Sequence, residues 1–209
     1  GVPVTLGEGM TGCITQAQRT GSLAGTGVGA EATPNTAAKE ANSGEVLNAY
    51  LLNVETGGII WRKDYAVDFG ADTKSWAFNY GFTSAPLVDG NNLIAMVGGH
   101  PDAKVVALDK FTGQMIWKAL SSETELGAAQ PVMITAGGVR QLIAWYPGAV
   151  ASLNPENGKV RWEHPWRVGG AASASTPVLA GLNLFFTTFY DGPPMLSLDP
   201  KKPAAKEIW

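Results

Sequence analysis

The chain has 209 residues, of which 45% are hydrophobic and 16% charged, a globular composition with enough length for a sizeable core. Its formal net charge is −3 and no run of Lys and Arg appears, which excludes nucleic acid as a main partner because neutralising phosphates takes clustered cations. No apolar stretch reaches the roughly 18 residues of a transmembrane segment, and the single cysteine, Cys13, excludes an internal disulfide, a CxxC zinc site and a CxxCH haem attachment.

In chain order, residues 2–7 read as a strand, taken as the second strand of a first unit that has no first strand before it. An insert at about 8–45 follows, rich in Gly, Thr, Ala and Asn and loosest at 20–30. A connection of this length without periodicity is either a flexible loop or a ligand-binding loop. Gly25-x-Gly27-x-Gly29 is no dinucleotide fingerprint, because no βαβ unit surrounds it. Cys13 lies in this insert and reads as an inert free thiol, with no His or Asn marking a partner for it.

After the insert a pattern recurs. Leu51-Leu-Asn53-Val-Glu-Thr-Gly57-Gly-Ile-Ile-Trp61 is followed by Ala107-Leu-Asp109-Lys-Phe-Thr-Gly113-Gln-Met-Ile-Trp117 and by Ser152-Leu-Asn154-Pro-Glu-Asn-Gly158-Lys-Val-Arg-Trp162. A fourth copy, Asp199 to Trp209, is two residues longer. Ser84-Ala-Pro86, Ala129-Gln-Pro131 and Ser175-Thr-Pro177 keep step, their Pro standing 23, 23 and 22 residues before the Asp or Asn. Two linked landmarks at a period in the forties define a structural repeat.

Each repeat holds four short apolar, β-branched runs bounded by Gly, Asp, Asn and Pro. In the second unit these predict strands at about 83–88, 92–98, 104–109 and 114–120; in the third at 130–135, 140–146, 149–154 and 159–164; in the fourth at 175–179, 183–189, 195–199 and 205–209. The Asp-x-x-Thr-Gly element is a turn, its carboxylate or amide accepting from nearby backbone N–H groups and its Gly free to take positive φ. The Trp then falls on the last strand, where its ring can pack on the neighbouring unit. A four-stranded sheet cannot bury both faces alone, and radial stacking solves this. The fold class is therefore an all-β, four-stranded-blade β-propeller, one domain with blades at about 1–65, 66–120, 121–164 and 165–209. Both ends fall within a blade, which reads as about four blades of a larger ring of seven or eight.

The run at 107–117 matches the tryptophan motif of the pyrroloquinoline-quinone (PQQ)-like propeller repeat. The chain thus resembles the family that includes quinoprotein dehydrogenases, the outer-membrane assembly lipoprotein BamB and exported PQQ-binding-like proteins of uncharacterised function. The resemblance implies a periplasmic or secreted location and a protein partner, or the remainder of the propeller, against the terminal blades. It raises PQQ with Ca²⁺ as a cofactor, but no cofactor ligand can be matched to a position, no metal site is expected, and no catalytic constellation such as GxSxG or HExxH appears. A non-enzymatic binding scaffold is the leading reading and a fragment of a PQQ-dependent dehydrogenase the alternative.

Strand order sorts the loops. Those after the second and fourth strands share one face, opposite the Thr-Gly turns. That face collects Trp76, Tyr80, His100, Tyr146, Trp166, Arg167, Tyr190 and Asp191 as the candidate ligand or partner surface, with Phe78, Phe82, Glu123 and Glu125 beside them. Trp76, Phe78 and Tyr80 read first as caps on the hydrophobic interior at a blade junction, and second as part of that surface. Asn53, Gly57, Trp61, Asp109, Gly113, Trp117, Asn154, Gly158, Trp162, Asp199 and Trp209 read as structural. His100 and His164 fit no metal-ligand spacing.

Overall fold

The computed structural model describes residues 3–5, 11–16, 48–53, 58–72, 84–121, 127–169, 173–188 and 191–209. Strands β1 (Pro3–Thr5), β2 (Thr11–Gln16), β3 (Asn48–Asn53) and β4 (Ile59–Asp64) form a first antiparallel sheet in sequence order. A short helix α1 (Tyr65–Phe69) follows, then a second sheet of β5 (Leu87–Asp89), β6 (Asn92–Gly99), β7 (Ala103–Asp109) and β8 (Met115–Ala119). The third sheet is β9 (Val132–Ala136), β10 (Val139–Tyr146), β11 (Ala149–Leu153) and β12 (Val160–Pro165). The fourth is β13 (Val178–Ala180), β14 (Asn183–Phe185), β15 (Met195–Leu198) and β16 (Ala205–Glu207).

Two expectations are corrected. The first sheet does have a first strand: residues 3–5 are β1, and β2 lies at Thr11–Gln16, inside the stretch read as an insert, with Cys13 in register with Pro3 and Leu52. Although Thr11, Ile14 and Thr15 are β-branched, Gly12 interrupts the run and weakens the strand pattern. The connection after the first sheet, read as loop, begins with α1. Asp64 caps it, its Oδ1 accepting from the Ala66 and Val67 amides at 3.0 Å each, and Gly70 ends it at φ +69°.

The period of two along the middle strands explains why they read as continuous apolar runs. Leu93, Ala95 and Val97 of β6 pack with Leu51, Trp61 and Tyr65 of the first sheet and its helix. The alternate residues Ile94 and Met96 pack with Leu142 and Ala144 of the third sheet. On β10, Ile143 and Trp145 turn the other way and meet Leu184, Phe186 and Leu196 of the fourth. Each middle sheet is thus covered on both faces, so both sets of side chains are apolar. This face-to-face succession of four-stranded antiparallel sheets is the architecture of a β-propeller.

The repeated turn supplies the seat between sheets. Asp109 Oδ1 accepts from the amides of Phe111 (3.0 Å) and Thr112 (2.8 Å) and from the Thr112 hydroxyl (3.0 Å). These bonds, the Thr112 amide foremost, hold the Asp109 carboxyl below its usual pKa. The ladder shifts by one residue at the same place in three units, between Leu51/Leu52, Ala107/Leu108 and Ser152/Leu153. The turn delivers Gly113 and Gly158 at φ +70° and +71° against the ring of the preceding sheet's tryptophan. A Cβ there would lie 2.9 Å from Trp61 Cδ2 or 2.6 Å from Trp117 Cε3, so only glycine admits the indole. The same indoles donate across the junction, Trp61 Nε1 to Lys110 O at 3.0 Å and Trp117 Nε1 to Pro155 O at 2.9 Å.

The series changes at the third junction. Asp199 again accepts from its following amides, Lys201 at 2.8 Å and Lys202 at 3.2 Å, but the sequence Asp199-Pro-Lys-Lys-Pro-Ala contains no glycine. Trp162, half-buried, instead turns its N–H back into its own sheet, to Gln141 Oε1 at 2.9 Å. Gln141 is buried; its oxygen also accepts from Ser152 Oγ at 2.6 Å, and its amide donates to Ala136 O at 2.8 Å. Trp209, read as a structural tryptophan, is 57% exposed.

Candidate functional site

The connections after second and fourth strands gather at the end of the sheets away from the Asp-Gly turns. Among the expected surface residues there, Trp76, Tyr80 and Tyr190 lie outside the described residues, as do Phe78, Phe82, Glu123 and Glu125. His100, Arg167 and Asp191 are exposed. His100 sits over α1, its amide donating to Gly70 O at 3.2 Å, and Gly99 leaves no room for a Cβ against Phe69 O. Asp191 Oδ2 accepts from the Gly169 amide at 2.7 Å, and Thr188 Oγ1 accepts from the Asp191 amide at 3.0 Å, so the carboxylate ties two connections of this face together.

Tyr146 is not on the surface. It is 2% exposed, at the junction of the second and third sheets. Burial, and secondarily the Glu163 carboxylate, push its hydroxyl above the usual phenol range. Over its ring, 5.3 Å from the centroid, stands the amine of Lys104, itself 1% exposed. Burial lowers the Lys104 pKa to about 8. The Lys104 amide donates to the carbonyl of Leu120 at 3.2 Å, and Leu120 is the one described non-glycine residue with positive φ (+65°). Sequence reasoning missed Lys104, because a lysine in a strand reads as solvent-facing.

At the next junction the third and fourth sheets meet around Trp145, which packs edge-on to Phe186 with ring centroids 5.2 Å apart. The segment Trp166–Val168 lies along the β10–β11 turn, the Trp166 amide donating to Gly148 O at 3.0 Å and that of Val168 to Pro147 O at 2.9 Å. Nearer the inner strands, Ser84 Oγ donates to Ala129 O at 2.9 Å and the Ala129 amide to Ser173 O at 2.8 Å, linking three successive units. These are the Ser and Ala positions of the second repeat landmark or lie just before it. On the outer side His164 Nε2 lies 3.0 Å from Glu207 Oε2, joining β12 to β16. Among the described residues, no group of three or more His, Cys, Asp or Glu side chains could hold a metal ion. No helix among the described residues is long and apolar enough to cross a membrane.

A family model described as outer membrane protein assembly factor BamB matches residues 24–208. Among solved structures, BamB from Moraxella catarrhalis is similar at 17% identity and a TM-score of 0.49, covering 77% of this chain and 44% of that one. The quinohemoprotein alcohol dehydrogenase of Comamonas testosteroni is similar at 12% identity and a TM-score of 0.49, covering 77% of this chain and 32% of that one. The computationally designed Ika4 protein is similar at 11% identity and a TM-score of 0.43, covering 79% of this chain and 84% of that one. This chain spans less than half the length of the first two. With every TM-score below 0.5, the family match and not these likenesses makes the assignment. No curated protein matches the chain.

Proposed function

The chain belongs to the BamB-like PQQ-repeat family, and on that premise we propose that it is an exported β-propeller that serves as a non-enzymatic scaffold, binding protein or cell-envelope components through its loop face. The observation that carries this reading is the match of an outer-membrane assembly factor to residues 24–208. A periplasmic or secreted location, and the role of the repeated indoles as a tryptophan docking motif, belong to the same reading. The loop face supports it in kind. Exposed His100, Arg167 and Asp191 stand there on connections held by backbone bonds to rigid sheets, the arrangement by which a fold presents a recognition surface.

The experiment is site-specific photo-crosslinking in cells, with the reactive residue at Arg167 or His100 on the loop face and at Lys201 on the turn face. The reading expects adducts from Arg167 and His100 with a protein of the outer-membrane assembly machinery, identified by mass spectrometry, and none from Lys201. Equal labelling from both faces, or no adduct at all, counts against it. A raised melting temperature and a quinone absorption band on adding PQQ with Ca²⁺ would replace it with the dehydrogenase.

A further inference from the structure

Asn157-Gly158 is the one Asn-Gly pair in the chain, and it lies in the turn that seats Trp117. In the first two repeats the residue before the turn glycine is a threonine, Thr56 or Thr112. Asn157 does what Thr112 does. Thr112 Oγ1 accepts from the Gln114 amide at 3.3 Å, and Asn157 Oδ1 accepts from the Lys159 amide, again two residues on, at 3.1 Å. The exchange brings a reactivity that threonine lacks. Asparagine is a chemically labile residue. Ahead of a glycine, which has no side chain in the way, the next backbone nitrogen can attack the asparagine side chain.

The reaction needs only water. The Gly158 amide gives its proton to solvent base and its nitrogen bonds to Asn157 Cγ. The Cγ–Nδ2 bond breaks, and the nitrogen leaves as ammonia with a proton taken from solvent. A succinimide ring remains, and water then opens it at either carbonyl. One product is aspartate. The other is isoaspartate, in which the main chain runs through the former side chain.

The fold resists the first step and is sensitive to the last. Asn157 is exposed, so solvent reaches it. Gly158 is buried and its amide donates to Asn154 O at 2.8 Å, while the Asn157 oxygen is held by Lys159. Both bonds must open before nitrogen and carbon can join. Isoaspartate lengthens the main chain by one carbon, about 1.5 Å. That carbon enters a loop closed by the Gly158 bond to Asn154 O and by the Asn154 amide bond to Lys159 O, each 2.8 Å. The seat has no slack to take it up, since even a Cβ on Gly158 would lie 2.6 Å from Trp117 Cε3.

We propose that Asn157-Gly158 is a deamidation site that the folded turn keeps closed, and that its conversion to isoaspartate unseats Trp117, so that an opening of this turn is fixed covalently.

The test incubates the intact protein at mildly alkaline pH with and without denaturing urea. Digestion and mass spectrometry follow the peptide that holds Asn157 against an unincubated sample. Replacement of NH₂ by OH marks conversion, and labelling by an isoaspartate-specific methyltransferase marks the lengthened chain. Conversion is expected to be at least about tenfold slower in the folded protein than in urea, as for any group reached only through local opening. Asn157→Thr is expected to show none. The isoaspartate chain, separated by its added negative charge and refolded from urea, is expected to unfold at lower urea than Asn157→Asp, which carries the charge without the extra carbon. Failure of that chain to refold where N157D refolds counts the same way. The proposal is overturned if the peptide does not convert in urea, if it converts equally fast folded and unfolded, if N157T still gains the mass, or if the isoaspartate chain and N157D unfold together.

Discussion

Replacing Gly158 by alanine isolates the seat between the second and third sheets. The substitution does two things. At φ +71° it puts an L side chain in the left-handed region, which costs about 1–2 kcal/mol. It also places a methyl group 2.6 Å from Trp117 Cε3 and 3.0 Å from Cδ2, well inside contact distance, with Ala119 Cβ behind at 3.2 Å. The indole is buried and cannot give way without lengthening its 2.9 Å bond to Pro155 O and opening the apolar cluster around it. Losing that bond and part of the packing adds about 1–3 kcal/mol, for a total of about 2–5 kcal/mol. Gly90 is the matched control. Its φ is +58° and nothing lies within 4 Å of its added Cβ, so G90A carries the conformational cost alone. Urea unfolding followed by tryptophan fluorescence, with the midpoint read at constant slope, measures both. G158A is expected to lose at least about 1 kcal/mol more than G90A. Equal losses would mean that the indole does not rest on the turn.

Gln141→Leu removes the shared acceptor of Trp162 and Ser152 together with a donor to Ala136, and is expected to destabilise by about 2–4 kcal/mol in the same urea assay; a change below about 1 kcal/mol would mean the three groups find other partners. Lys104→Met separates a pH effect. Its amine titrates at about 8 folded against 10.5 unfolded, so between those values the unfolded chain binds more protons and stability rises with pH. The wild-type stability measured relative to K104M is therefore expected to climb by up to about 3 kcal/mol from pH 8 to 10.5, a flat difference being the contrary result.

Much of the fold was legible because one physical unit recurs. Asp109-x-x-Thr-Gly113 fixes a turn by local hydrogen bonds that depend on neighbouring residues alone, and the spacing to Trp117 then follows along an extended strand. Where a structure depends on partners distant in sequence, the sequence was silent. The strand at Thr11–Gln16 pairs with residues 3–5 and 49–53, partners that its own short sequence does not reveal. The helix Tyr65–Phe69 is too short to show a helical period. Gln141 and Lys104 are buried, although a polar side chain in a strand is usually exposed, so nothing in their residue type signals their place. Tyr146, placed on the loop face from strand order, belongs instead to a packed junction, because the end of its strand is covered by the neighbouring sheet.

The contact between each indole and the following glycine turn is the most direct thing to measure. A nuclear Overhauser spectrum should show strong cross-peaks from the Trp117 ring to the Gly158 α-protons and from the Trp61 ring to those of Gly113, with the Trp162 indole proton near the Gln141 side chain instead. If the Trp61 and Trp117 rings show cross-peaks only within their own sheets, the sheets are not joined through these residues and the propeller architecture drawn from them is wrong.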